Sequence, residues 1–299
     1  MAESSGKRCG LVALVGRPNV GKSTLLNHLV GQKVSITSRK PQTTRQRILG
    51  IKTAGEAQIV FVDTPGFHQG IDKAINRFMN RTINSVVGDV DVILFLTDRL
   101  HLLPEDEVLL QNCFRSGCPV FLVINKTDVL GDKQAQLPFI DELRQRYDFA
   151  EIVPVSALRK YNTDQLERAI VSRLPENAWL FEEDQLTDRN GRYLAAEFVR
   201  EKITRQMGDE VPYEVAVEIE EFREEAGIYH IGAVILVEKE TQKRMLIGEK
   251  GSRMKLIGIE ARRDMERMFD CQVMLKLWVK VKSGWSDDER ALRSLGYDD

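Results

Sequence analysis

Along the first half of the chain, short uninterrupted apolar runs alternate with amphipathic stretches. Residues 11–15, 59–62, 92–96, 120–124 and 152–155 have the length and continuity of buried strands. Between them, residues 24–30, 75–87, 106–116, 137–147 and 163–174 carry apolar residues at helical spacing. Strand–helix alternation of this kind predicts an α/β domain: a mostly parallel sheet with helices on both faces. Residues 48–53 precede the 59–62 run across the short turn Ala54-Gly55-Glu56, which predicts a hairpin and one antiparallel edge strand.

After Leu174-Pro175 the pattern changes. Residues 176–190 read as a linker. Residues 192–206 form a helix pattern, with Leu194, Phe198, Val199 and Ile203 on one face. Residues 213–222 alternate (Val215, Val217 and Ile219 against Glu214, Glu218 and Glu220), as a half-buried strand does. Residues 228–237 predict a second strand, 254–269 a helix and 272–281 a last strand, on whose packed face Trp278 is expected. The expected order is helix-strand-strand-helix-helix-strand, a small α+β domain. The expected division is therefore 1–175, a linker at 176–190, a second domain at 191–283 and a tail at 284–299.

Composition narrows the class. Of 299 residues, 42% are hydrophobic and 29% charged, which suits folded domains rather than disorder. The net charge of -2 argues against a uniformly basic nucleic-acid binder, though not against a local basic face. Cys9, Cys113, Cys118 and Cys271 form no CxxC pair, so neither a zinc site nor a disulfide framework is expected. The four histidines show no metal spacing. The apolar runs fall far short of the ~20 residues that span a bilayer. No signal-peptide pattern opens the chain, so the expected location is the cytoplasm.

The chemistry is concentrated in four loops. Gly16-Arg17-Pro18-Asn19-Val20-Gly21-Lys22-Ser23 matches GxxxxGK[ST], between a predicted strand and a helix that continues through Thr24. Backbone N–H groups of such a loop cradle phosphates, Lys22 neutralises the β- and γ-phosphates, and Ser23 ligates Mg2+. The plain alternative is a chance glycine turn, which the flanking strand and helix argue against. Asn125-Lys126-Thr127-Asp128 ends the 120–124 run. The Asp128 carboxylate suits guanine's N1–H and N2–H2 donors, whereas adenine would leave it facing a lone pair. Asp63-Thr64-Pro65-Gly66 follows the 59–62 run; Asp63 is placed to hold Mg2+ through water and the Gly66 N–H to sense the γ-phosphate. Ser156-Ala157-Leu158 follows the 152–155 run, where a backbone N–H can reach guanine O6.

These four motifs in this order resemble those of translation-factor-related GTPases. The resemblance implies that Lys40-Pro41-Gln42-Thr43-Thr44-Arg45 is the first switch and that a threonine in it closes the Mg2+ shell, Thr44 first and Thr43 as the alternative. Ras-like enzymes carry a water-orienting glutamine where this chain has Phe67, so slow intrinsic hydrolysis is expected. Asn19 resembles the asparagine that helps coordinate K+ in related GTPases; the alternative is that it only caps the loop. The catalytic set expected on these grounds is Lys22, Thr44, Gly66 and Asn19.

The second domain carries its own motif. Gly248-Glu249-Lys250-Gly251 is a GxxG loop between a strand-like region and a helix, followed by Arg253 and Lys255. In KH domains such a loop clamps about four nucleotides of single-stranded RNA. A tight turn before a helix is the alternative. Residues 241–285 hold eleven Lys and Arg against five acids, in a chain whose total is negative. That segregation favours an RNA face.

Asp188-Arg189, Ile257-Gly258-Ile259-Glu260-Ala261-Arg262 and Leu277-Trp278-Val279-Lys280-Val281-Lys282 complete a resemblance that spans essentially the whole chain. The chain is similar to the Era family of bacterial ribosome-assembly GTPases. The resemblance implies a P-loop GTPase domain followed by a KH domain, GTP/GDP and Mg2+ as ligands, and binding of the 3′ end of 16S rRNA during 30S subunit maturation. It also implies a tail beyond Ser283 that runs near bound RNA. A monomer is expected. Two other readings stay open here. In one, GTP is mainly a structural ligand of an RNA-binding assembly factor, which Phe67 favours. In the other, the chain is a cell-cycle regulator in peripheral contact with the cytoplasmic face of the inner membrane, although no amphipathic or lipidated segment supports direct anchoring.

Overall fold

The computed structural model describes residues 6–40, 43–66, 74–130, 133–207 and 215–287. Its described residues fall into two compact units. Of these, 6–35, 44–66, 79–130 and 133–188 belong to one, and 36–40, 43, 74–78, 189–207 and 215–287 to the other. Phe67, His68 and the residues from Asp288 onward lie outside the described set, as do Pro41 and Gln42 of the expected switch.

The first unit is built on strands β1 (Arg8–Val15), β2 (Ile48–Ala54), β3 (Ala57–Asp63), β4 (Val92–Thr97), β5 (Val120–Ile124) and β6 (Glu151–Pro154). They form one sheet in the order β2-β3-β1-β4-β5-β6. All neighbouring pairs are parallel except the β2–β3 hairpin. The fully apolar runs of β4 and β5 are buried on both faces, which is why they show no alternation. The helices are α1 (Lys22–Val30), α2 (Ala74–Val87), α3 (Pro104–Arg115), α4 (Lys133–Arg146) and α5 (Thr163–Arg173). Order runs outward from β1 in both directions, so the ends of β1 and β3 flank the crevice where such sheets bind ligands.

The stretch read as a linker is ordered against the first unit. Ile51 N donates to Leu186 O, and Leu49 N to Asp188 Oδ1, along the free edge of β2. The Gln58 side chain, fully buried, accepts from the N–H groups of Leu180 and Phe181. An exposed edge strand invites unwanted pairing, and this segment covers it.

The second unit contains α6 (Gly191–Gln206), β7 (Val215–Glu225), β8 (Ile228–Val237), α7 (Glu240–Ile247), α8 (Ser252–Phe269) and β9 (Gln272–Val281). Asn190 caps α6 by accepting from Tyr193 N. The sheet order is β7-β8-β9, with β8 antiparallel to β7 and parallel to β9. Phe198, Val199 and Ile203 of α6 and Ile257, Ala261 and Met265 of α8 share its core with Ile231 and Ile235 of β8.

Two expectations are corrected here. The region before the GxxG loop is a helix, α7, not strand-like. Trp278 is not on the packed face of β9: it is 48% exposed. Residues two apart on a strand share a face, so Trp278 goes with exposed Lys276 and Lys280, and Leu277 and Val279 pack inward. Among the described residues no helix is long and apolar enough to cross a membrane.

Candidate functional site

The chain leaves β1 at Val15, turns through the glycine-rich loop and enters α1 at Lys22. Gly21 is the N-cap of α1 and, being glycine, offers no side chain to cap it. The first N–H groups of α1 and its positive dipole end are thus left for a ligand, the physical basis of anion binding. A Cβ on Gly21 would lie 2.3 Å from Asn125 Nδ2, so only glycine lets the base-reading loop approach here. Lys22 is buried, and its Nζ donates to Gly16 O at 2.9 Å and to Arg17 O at 3.0 Å. Burial pushes its pKa down to about 8, against the opposing pull of Asp63.

Ser23, Thr44 and Asp63 converge beside this loop. Ser23 Oγ donates to Asp63 Oδ2 at 2.7 Å and lies 2.9 Å from Thr44 Oγ1. Ser35 Oγ donates to the same carboxylate oxygen at 2.8 Å. Asp63 Oδ1 is buried with no hydrogen-bond partner among the described residues. Burial raises the Asp63 pKa, with the Ser23 hydrogen bond and Lys22 working the other way. Two hydroxyls and a carboxylate with an unsatisfied oxygen suit a hard, oxygen-seeking cation such as Mg2+. Thr43 is not in this set: its Oγ1 is 2.6 Å from Ser38 Oγ and donates to Lys40 O at 2.7 Å. Gly66 lies against Pro18 of the glycine-rich loop. A Cβ there would meet Pro18 Cα and N at 2.8 Å, so the backbone after β3 reaches the loop only because residue 66 is glycine.

Asn125, Lys126 and Asp128 leave the end of β5 as the motif requires. Asn125 Nδ2 donates to Val20 O at 2.8 Å, and its Oδ1 accepts from Ala157 N at 3.0 Å. One buried amide therefore ties the phosphate loop to the Ser156-Ala157-Leu158 loop. Lys126 Nζ donates to Asn19 O at 2.7 Å. Ser156 Oγ donates to Asp128 Oδ1 at 2.5 Å, which aims the exposed carboxylate. Leu158 is 72% exposed at the rim. Arg17, named with the phosphate loop, points elsewhere: its guanidinium is held by Asp98 and Asp106. Neither acid was singled out by motif. Asp98 follows the C-terminal end of β4, and that position was the available signal.

A second feature escaped the sequence reading. The segment Ile36–Thr43 belongs by its contacts to the second unit, although Ser35 and Thr44 on either side serve the first. Ile36 is buried in the α6–α8 core. Thr37 N donates to Glu201 Oε1 at 2.9 Å, and Arg205 Nε to Thr37 O at 2.9 Å. Arg200 donates to Thr43 O, and Lys40 to Met207 O. Glu201 is fully buried, and Lys202 pairs with it at 2.7 Å. No local pattern marks Glu201 for this role, since an acid on a polar-rich helix reads as solvated.

The GxxG loop forms a single 3-10 turn, Glu249–Gly251, between α7 and α8. Gly248, Lys250 and Gly251 all take positive φ, at 72°, 48° and 78°. Glu249, Lys250 and Lys255 are exposed, and no ion pair involves either lysine among the described residues. Arg253 is half-buried and braces the turn instead, donating to Met245 O.

Comparison with known proteins agrees with this division. A family model described as 50S ribosome-binding GTPase matches residues 11–126, and a KH-domain model matches residues 210–286. The chain is 58% identical to the GTPase Era of Pseudomonas aeruginosa over 295 residues, 99% of this chain and 97% of that one. It is 57% identical to the GTPase Era of Azotobacter vinelandii over 299 residues, all of both chains. An Aquifex aeolicus Era variant crystallised with GDP and aluminium fluoride superposes with a TM-score of 0.94 at 42% identity, covering 97% of this chain and 99% of that one. A crystal structure of Era with MgGDPNP and nucleotides 1506–1542 of 16S ribosomal RNA matches with a TM-score of 0.93, at the same identity and coverage. A phosphate loop wired to a guanine-type base loop, a GxxG turn in a separate unit and relatives of this identity over the full length make one conclusion: the chain belongs to the Era family of GTPases.

Proposed function

We propose that this GTPase is a nucleotide-controlled switch that binds the 3′ end of 16S rRNA and assists maturation of the 30S subunit. The observation that carries the reading is the placement of Thr44. Its hydroxyl joins Ser23 and Asp63, while the preceding residue, Thr43, is held within the second unit by Arg200. One peptide bond therefore separates the γ-phosphate end of the site from the unit that carries the GxxG loop. The relative bound to MgGDPNP and rRNA nucleotides supports the same partners.

GTP and water give GDP and phosphate. On this reading Lys22 leaves the carbonyls of Gly16 and Arg17 for the β- and γ-phosphates, and the N–H groups at the start of α1 take the remaining oxygens. The Gly66 N–H reports on the γ-phosphate. Ser23 and Thr44 would hold Mg2+, with Asp63 acting through water; the ion supplies charge neutralisation at the transferring phosphoryl group. Asp128 reads guanine. The rRNA backbone lies on the GxxG turn, with Lys250 and Lys255 toward its phosphates. Once phosphate has left, Thr44 would no longer be held at the site, and the Ile36–Thr43 segment would be released from that constraint.

The test is RNA affinity in two nucleotide states. At one fixed salt concentration, a short RNA matching the 16S 3′ end should bind at least tenfold tighter with a non-hydrolysable GTP analogue than with GDP, a coupling of about 1.4 kcal/mol. Equal affinities would remove the switch, and equal binding of a scrambled RNA would remove the target.

Asn19 is exposed at the loop tip, and its backbone carbonyl is fixed by Lys126. We assign its side chain to K+ coordination near the phosphates. Turnover in K+ should exceed turnover in Na+ at equal ionic strength, and matched rates would return Asn19 to a loop-shaping role.

A further inference from the structure

The acids around Arg17 have no place in the four motifs. Arg17 Nε donates to both oxygens of Asp106, at 2.8 and 2.9 Å. Asp106 is fully buried at the start of α3, where it also accepts from Leu103 N. Arg17 Nη2 reaches Asp98 Oδ1 at 3.3 Å, and the other oxygen of Asp98 accepts from Lys126 Nζ at 2.7 Å. Arg17 belongs to the phosphate loop and Lys126 to the base loop. Asp98 thus bridges a cation of the phosphate loop and a cation of the base loop.

We propose that Asp98 is a positioning residue that sets the phosphate loop and the base-reading loop as one unit. Each oxygen of its carboxylate serves a different loop. Asp106 holds Arg17 from the other side and prevents it from turning toward the ligand. The four side chains carry two positive and two negative charges, so the cluster is neutral. Removing Asp98 leaves Arg17 paired with Asp106 and takes from Lys126 the carboxylate it pairs with. Lys126 would then keep its bond to Asn19 O but lose the partner that orients its ammonium. Half-buried charge pairs of this kind couple more strongly than surface pairs because water screens them less. The proposal rests on these loops holding a guanine nucleotide.

The test is a coupling measurement on the full chain with fluorescently labelled GDP. Asp98→Ala should weaken GDP binding about tenfold, and the isosteric Asp98→Asn by a smaller factor. Arg17→Ala, Lys126→Ala and their double variant are then compared with Asp98 present and with Asp98→Ala. With Asp98 present, the double variant should depart from additivity by threefold or more; without it, the two effects should be additive. A purely structural acid would shift the melting temperature and leave the two effects additive in both backgrounds. Additivity with Asp98 present overturns the proposal. Should Asp98→Ala not fold, the same cycle in Asp98→Asn decides it. Failure of the unmutated protein to bind GDP overturns the site reading itself, a separate and visible outcome.

Discussion

Asp128→Asn will move this site from guanine to xanthine. On the proposed reading, the carboxylate accepts from two donors on one edge of guanine, N1–H and N2–H2. An amide keeps one acceptor and turns an N–H toward the exocyclic amine, so two donors face each other. Leaving such groups unpaired in a binding site costs a few kcal/mol, and GDP affinity should fall by about a hundredfold or more. Xanthine carries a carbonyl at that carbon, so XDP should gain affinity over the unmutated protein. The amide oxygen can still accept from Ser156 Oγ, which keeps the loop in place. Paired titrations of GDP and XDP check this. A variant that loses GDP without gaining XDP would mean that Asp128 supports the loop rather than reading the base.

Replacing Glu249 and Lys250 together by Asp will weaken RNA binding sharply while sparing GTP hydrolysis in the absence of RNA. The turn places Lys250 at φ 48°, and Asp is among the few residues that tolerate this region. The backbone turn is therefore retained. The exposed cation becomes an anion at the place where phosphates are proposed to approach. Affinity for the 16S 3′ RNA should drop about thirtyfold or more, and the salt dependence of what remains should flatten, because each lost phosphate contact removes counterion release. A filter-binding series at two salt concentrations checks both parts. Unchanged affinity would place the RNA elsewhere on the second unit.

The legible parts of this protein are those whose signal is local. The apolar runs at 92–96 and 120–124 fall within β4 and β5 because a strand buried on both faces needs no alternation. The hairpin of β2 and β3 was visible in its short glycine turn. The phosphate loop, the base loop and the GxxG turn each lie within nine residues, so their residue types are readable without a fold. Trp278 lies on the exposed face of β9 because residues two apart share a face and its neighbours Lys276 and Lys280 are exposed. Helix α7 has only eight residues, too few for a firm helical period, so the stretch before the GxxG turn looks strand-like although the element order matches the expected one.

Sequence alone determined which motifs this protein carries: a lysine and a serine in a phosphate-type loop, an aspartate in a guanine-type loop and a glycine turn with cations. It determined these because each rests on residue types at fixed short spacing. Only the tertiary structure decided that Thr44 rather than Thr43 joins Ser23 and Asp63, since adjacent threonines are equivalent until the backbone turns one inward. Only it brought Asp98 between Arg17 and Lys126, residues 81 and 28 positions away. Only it assigned Ile36–Thr43 to the second unit, because α6, whose Glu201 and Arg200 hold that segment, lies more than 150 residues along the chain. Contacts between distant residues depend on which strands and helices become neighbours, and no local pattern records that choice.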